Sequence, residues 1–151
     1  MTADAISILP TAPEHRAAWD DLYAGYADFY RVSQTPAMRD TVWSWLMDPA
    51  HQVEGLVAVD AAGRPVGIAH FRAFARPLSA STGGFLDDLF VSEAARGSGA
   101  ADALIGRIAE IGRARGWSVI RWITAEDNAR ARKVYDRMAM KTRWVTYDLA
   151  L

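Results

Sequence analysis

Three groups of residues in this chain are of types that do chemistry at the spacing they have. The first is Arg96-Gly97-Ser98-Gly99-Ala100-Ala101, which follows an alternating apolar strand and opens a helix. After the arginine no side chain is larger than serine. Several backbone N–H groups therefore aim at one point, with the positive end of a helix behind them. That is a cradle for phosphate. The second group is Asn128, Ala131 and Tyr135, at i, i+3 and i+7, which share one helix face over two turns. Asn128 is the only asparagine in the chain. Taken singly, Asn128 reads as a helix N-cap and Tyr135 as a core aromatic. The third is the adjacent carboxylates Asp87 and Asp88 on the strand that leads into the loop. Strand alternation points them to opposite faces, so one is open to a ligand while the other is tied to loop amides.

Other chemistries lack their residues. A phosphate loop of the Walker type ends in Gly-Lys-Ser/Thr, which is missing. A dinucleotide fingerprint needs glycine or alanine where Asp102 stands, and a place after the first strand. With no cysteine there is no disulfide, thiolate metal site or acyl-cysteine intermediate. His15, His51 and His70 have no metal-ligand spacing, so no metal site is expected, and His70 reads as a core or surface histidine, with a base on the strand as the alternative.

The elements that position these groups follow from periodicity. Strands are expected at Ala5–Leu9, Val53–Val59, Val66–Phe74, Phe85–Val91, Trp117–Thr124 and Arg143–Leu149. Helices are expected at Glu14–Tyr30, Met38–Met47, Gly99–Arg115 and Asn128–Met138, with Gly116 closing the third. The strand-helix-strand unit from Phe85 to Thr124 makes its two strands parallel neighbours. An α/β sandwich on a mixed sheet follows. At 151 residues, without repeats or linkers, the chain reads as a single domain.

Bulk properties narrow the function classes. Met1–Pro10 lacks a basic start and a long apolar run, so no signal peptide is expected; no stretch spans a bilayer, and a cytoplasmic location is the default. Net charge is −1, but residues 1–90 hold eleven acids against six arginines and residues 91–151 seven acids against eleven Arg and Lys. That asymmetry suits a cation held by the front half and a polyanion by the rear. The basic residues form no nucleic-acid stripe.

The loop and the helix face together carry a resemblance. Arg96, Gly99 and Ala101 fit the pyrophosphate loop Arg/Gln-x-x-Gly-x-Gly/Ala, and Asn128, Ala131 and Tyr135 fit the following Asn-x-x-Ala-x-x-x-Tyr element, of the Gcn5-related N-acetyltransferases (GNAT superfamily). The chain resembles that superfamily closely over residues 84–141 and elsewhere in element order. Leu86-Asp87-Asp88-Leu89-Phe90-Val91 is similar to a strand of diamine acetyltransferases. Trp122–Tyr135, the C-terminal strand and Phe29-Tyr30-Arg31 are similar to the fungal histone/polyamine acetyltransferases. Ala139-Met140 and Glu93 depart from the family pattern, away from the chemistry.

The resemblance implies a GNAT fold, a mixed, mostly antiparallel sheet flanked by four helices, with strands 85–91 and 117–124 splayed to admit the pantetheine of acetyl-CoA. It implies that Phe90 and Val91 bond that arm through their backbones, that Arg96, Gly97, Ser98, Gly99, Ala100 and Ala101 hold the pyrophosphate, and that Asn128 faces the pantetheine. A base is needed to deprotonate the acceptor amine; the resemblance favours Asp87, with Asp88 second or an anchor. Tyr135, protonated at neutral pH, would donate to the leaving thiolate. The expected activity is acetyl transfer from acetyl-CoA to a primary amine, a polyamine, diamine or lysine side chain, by direct transfer in a ternary complex. Amino acids, antibiotic amines and protein N-termini are the alternative acceptors, and a non-catalytic acyl-CoA sensor the alternative class. A homodimer or higher assembly is implied, with Trp144–Leu151 able to pair across an interface. Neither nucleic acid nor membrane is expected as a partner.

Overall fold

The structure, a computed structural model, describes residues 5–151. The first four residues of the Met1–Pro10 segment lie outside that range. A short strand β1 (Ser7–Pro10) leads through a 3₁₀ turn into α1 (Arg16–Phe29). This helix buries Trp19, Leu22, Tyr23 and Ala27, whose spacing of three, one and four lines one face. Thr35 starts α2 (Pro36–Leu46): its hydroxyl accepts from the Met38 N–H at 3.2 Å, and Pro36 sits where its missing N–H costs nothing. Strands β2 (Val53–Val59), β3 (Pro65–Arg76) and β4 (Ser81–Val91) form an antiparallel meander. Then come α3 (Ala100–Arg115), the two-residue strand β5 (Ile120–Arg121) and α4 (Ala129–Met138).

The sheet runs β1-β2-β3-β4-β5, antiparallel except for the parallel pair β4–β5. Each face carries its own core. Leu56, Ala58, Ala69, Phe71 and Leu86 pack under Leu104, Ile105 and Ile108 of α3. Val57, Val59 and Ile68 pack under Trp19, Leu22 and Tyr23 of α1. This is the four-helix, five-strand mixed sheet of the GNAT fold.

Three details differ from the sequence reading. β4 and β5 pair only at Gly84↔Ile120 and Phe85↔Arg121, so the expected strand Trp117–Thr124 shrinks to two residues. Gly84 permits even this contact: a Cβ there would lie 2.4 Å from the Trp117 ring. The expected strand Arg143–Leu149 does not form; residues 139–151 are irregular and largely exposed. Lastly, the β3–β4 register steps from His70↔Asp88 to Phe71↔Leu86, which makes Asp87 the extra residue of a β-bulge.

Candidate functional site

Where β4 and β5 part, a cleft of about 470 Å³ opens between the end of β4, the loop after it, the start of α3 and α4. Phe90, Val91, Arg96, Gly97, Gly99, Ala100, Ala101, Asn128 and Tyr135 all line it. Ser98 does not; its hydroxyl accepts from the Ala100 N–H at 3.4 Å, within the loop. Gly97 and Gly99 have φ of +84° and +86°, a region L side chains enter only under strain, and a Cβ at either would meet nothing within 4 Å. Positive φ at these two positions turns the loop into a nest. The N–H groups of Gly97, Gly99 and Ala101 donate to no acceptor among the described residues. Arg130 and Arg137 join Arg96 on the cleft wall, and Arg137 is held by Asp102 at 2.7 Å. Open N–H groups, a helix N-terminus and cationic walls fit a diphosphate.

Both helix-face residues have the structural roles they show singly and a place in the cleft as well. Asn128 Oδ1 caps α4 by accepting from the Ala131 N–H at 3.4 Å. Its Nδ2 donates to Tyr30 Oη and Thr124 Oγ1, each at 3.3 Å. Tyr135 packs edge-on against Trp122 with ring centroids 5.4 Å apart. Burial, then the neighbouring Tyr30, pushes its phenol up to about 12, so it is a proton donor at any physiological pH.

Against α1 and α2, over β3 and β4, a second pocket, about 450 Å³, is lined by Tyr23, Trp45, His51, His70, Arg72, Asp87 and Asp88, among others. Here the sequence reading is corrected. Asp87 and Asp88 do not point to opposite faces: the bulge at Asp87 breaks the alternation and sets both carboxylates in this one pocket. They differ in surroundings. Asp88 accepts from the Tyr23 hydroxyl at 2.9 Å and meets His70 Nδ1 at 2.8 Å. Burial works against its charge, but the bonds from His70 and Tyr23 outweigh it and hold the carboxyl below the usual carboxylate range. Asp87 goes the other way: burial raises it despite the two bonds from Arg72 Nε at 3.1 and 3.2 Å.

His70 is the residue the sequence reading undervalued. It is almost fully buried, and the Trp19 indole N–H donates to its Nε2 at 2.9 Å. A nitrogen that accepts carries no proton, so the imidazole is neutral and its proton sits on Nδ1, donated to Asp88. The contact is a hydrogen bond between a neutral ring and a carboxylate. Arg72 was equally unforeseen, and so was the link from Trp19 to His70, since nothing in the local sequence ties residues 19, 70, 72 and 88 together. Among the described residues no cluster of three or more His, Asp or Glu could hold a metal ion. No described helix is long and apolar enough to cross a membrane.

Comparison with known proteins adds to this geometry. The model of a family described as the acetyltransferase (GNAT) family matches residues 19–140. The D-amino-acid N-acetyltransferase HPA3 of Saccharomyces cerevisiae is 28% identical over 148 residues, covering 97% of this chain and 92% of the yeast protein. The crystal structure of a ribosomal-protein-alanine N-acetyltransferase from Brucella melitensis is 26% identical with a TM-score of 0.82, covering 97% of this chain and all of that one. An aminoglycoside N-acetyltransferase in complex with CoA superimposes with a TM-score of 0.80 at 18% identity, covering 99% and 97% of the two chains; that likeness is one of fold.

Proposed function

The chain belongs to the acetyltransferase (GNAT) family, whose co-substrate is acetyl-CoA, and from that premise we propose that it acetylates the primary amine of a free amino acid held in the Asp87–Asp88 pocket. One observation carries this reading: two carboxylates with opposite shifts share a pocket with a guanidinium that still has donors to give. Arg72 uses only Nε on Asp87, and its two terminal nitrogens donate to no acceptor among the described residues. An α-amino acid offers an ammonium to the carboxylates and a carboxylate to that fork. The yeast relative acts on D-amino acids, which agrees with this acceptor.

Acetyl-CoA supplies the activated acetyl group; the chain's residues do the rest. The N–H groups of Gly97, Gly99 and Ala101, with Arg96, hold the pyrophosphate, the Ala100 N–H and the Ser98 hydroxyl keep the loop closed, and the outer backbone edge of Phe90 and Val91 takes the pantetheine beside Asn128. Asp88, kept ionised, holds the ammonium. Asp87, the carboxylate with the raised affinity for protons, removes its proton; such opposed shifts in a pair mark which group anchors and which acts as base. Tyr135 gives its proton to the departing sulfur. With no cysteine to carry an acyl group, transfer is direct.

A second acceptor class, the polyamines, diamines and lysine side chains, is favoured by a different fact. Counting Asp87, Asp88 and Arg72, the pocket keeps one net negative charge, and Trp45 and Tyr23 offer aromatic faces to a cation. The enzyme is read as a homodimer, on the strength of the family resemblance and the exposed apolar C-terminal segment. Coenzyme A release from acetyl-CoA across D- and L-amino acids, diamines, spermidine and lysine peptides tests the acceptor. Turnover of amino acids lost in Arg72→Ala supports the first reading, and preference for polyamines with amino acids inert supports the second. Silence on every amine, with acetyl-CoA still raising the melting temperature, leaves an acyl-CoA sensor.

A further inference from the structure

His51 lines the acceptor pocket and has no part in the chemistry described so far. It stands in the turn between α2 and β2, and that turn is built to hold it. The Asp48 carboxylate accepts from the Ala50 N–H at 2.9 Å, and the Asp48 carbonyl accepts from the His51 N–H at 3.0 Å. The imidazole lies flat against the Trp45 ring, with centroids 4.9 Å apart and planes 5° off parallel. Its Nδ1 accepts from the Val53 N–H at 3.0 Å. A ring nitrogen that accepts has no proton, so the proton of the neutral imidazole sits on Nε2. That N–H donates to no acceptor among the described residues.

Strand register sets the neighbours of this donor. Val53, which His51 bonds, is the direct partner of Arg72 across β2 and β3, and Arg72 in turn holds Asp87 on β4. The pocket is therefore sorted by polarity. His51 Nε2 and the two terminal nitrogens of Arg72 are donors without acceptors, while Asp87 and Asp88 are acceptors on the β4 side. We propose that His51 donates its Nε2–H to the carboxylate of the acceptor, beside the Arg72 guanidinium, and so selects α-amino acids over amines that lack a carboxylate. The proposal rests on the amino-acid reading above and adds a specificity-determining residue to it, with Trp45 positioning the ring. A carboxylate offers two oxygens with about four lone-pair sites, enough for both donors. An alkylammonium offers only donors, so a second cationic group on a polyamine finds no match at this end of the pocket.

The test compares acceptors that differ only by the carboxylate: D- and L-alanine with ethylamine, and D- and L-phenylalanine with phenethylamine. In His51→Asn the shorter side chain still offers an oxygen to the Val53 N–H, as asparagine does to backbone two residues on, but nothing reaches the place of Nε2. In His51→Gln an amide N–H returns near that place. The expected result in His51→Asn is a KM raised about 10-fold for the amino acid, the worth of one hydrogen bond to a charged group. Its kcat and the KM for the matching amine stay unchanged. His51→Gln is expected to recover most of the loss. Trp45→Ala, which keeps both donors and frees the ring, should lose part of the same preference, and it decides the matter if His51→Asn melts far below the parent. A KM that rises equally for amino acid and amine would make His51 a turn residue only and overturn the proposal. So would an unchanged KM for amino acids. In either case the amino-acid reading stands if Arg72→Ala still loses the preference for a carboxylate. Amino acids inert with the parent enzyme would overturn the reading and the proposal together.

Discussion

His70 and Asp88 face one another as direct partners across β3 and β4, Nδ1 to Oδ2 at 2.8 Å, with Trp19 closing the far nitrogen of the ring at 2.9 Å. The order Trp19, His70, Asp88 runs in one direction only, because the indole can donate and cannot accept. It points every donor at the carboxylate and keeps Asp88 an acceptor. A carboxylate so held is a fixed negative charge for an ammonium group and a poor proton acceptor.

The two aspartates should therefore fail in different ways. Asp88→Asn keeps an oxygen for His70 and Tyr23 but loses the charge. Its effect is expected mainly in KM for the amine, a rise of roughly 10- to 100-fold, the equivalent of about 1.5–3 kcal/mol for a charged hydrogen bond. Asp87→Asn is expected to lower kcat by about 10²–10⁴-fold with a small change in KM. Steady-state kinetics on the preferred amine decides; equal KM defects in both variants would refute the division of roles.

The same pair predicts opposite pH signatures in stability. Asp88 titrates below its unfolded value, so the stability it contributes is present above that value and fades as pH falls through the folded one. Asp87 titrates above its unfolded value, so its contribution is present in acid and fades as pH rises through the folded value. Melting temperature followed from about pH 3 to 7, across the ordinary carboxylate range, should fall less steeply toward acid in Asp88→Asn than in the parent. Asp87→Asn should gain on the parent at neutral pH, where the parent bears a half-buried charge. Parallel curves for all three proteins would contradict this.

Tyr135→Phe removes one hydroxyl whose phenol is pushed up to about 12 and leaves the ring against Trp122. Acetyl-CoA binding, read by the shift in melting temperature, should stay near the parent's. Turnover should drop by about 10²-fold or more, the typical size of a general-acid contribution. A variant that turns over normally would remove Tyr135 from the chemistry.

At Gly99 the backbone has φ +86° and open space around the missing Cβ, so Gly99→Ala meets strain without a clash. The expected loss of stability is about 1–2 kcal/mol. Relaxation of the loop should also raise KM for acetyl-CoA while sparing KM for the amine. Calorimetry and a two-substrate kinetic grid read the two effects separately.

The cleft was legible in the sequence because the segments that line it are local. A loop of small residues and a helix face eight residues long bring their own geometry, and both line the cleft, Ser98 apart. The acceptor side was not legible in the same way. The bulge at Asp87 is a property of the pairing between β3 and β4, and alternation within one strand gives no sign of it. The bond from Trp19 to His70 spans fifty-one residues and exists because α1 packs across β3. The C-terminal strand shows a third case: its pattern was plain, but a strand is a relation between two segments, and the pattern names only one of them.

The parallel strands β4 and β5 touch at one end, under Trp117 where Gly84 makes room, and diverge toward the other. Two rods pinned at a single point behave as a pair of dividers: a small change at the pin becomes a larger one at the tips. In the proposed reading, the aperture that would admit the pantetheine arm is thus set by packing at Gly84, which is not among the residues that line the cleft. Under that reading, substitutions at Gly84 or Trp117 would change the width of the gap and leave every residue of the cleft as it is.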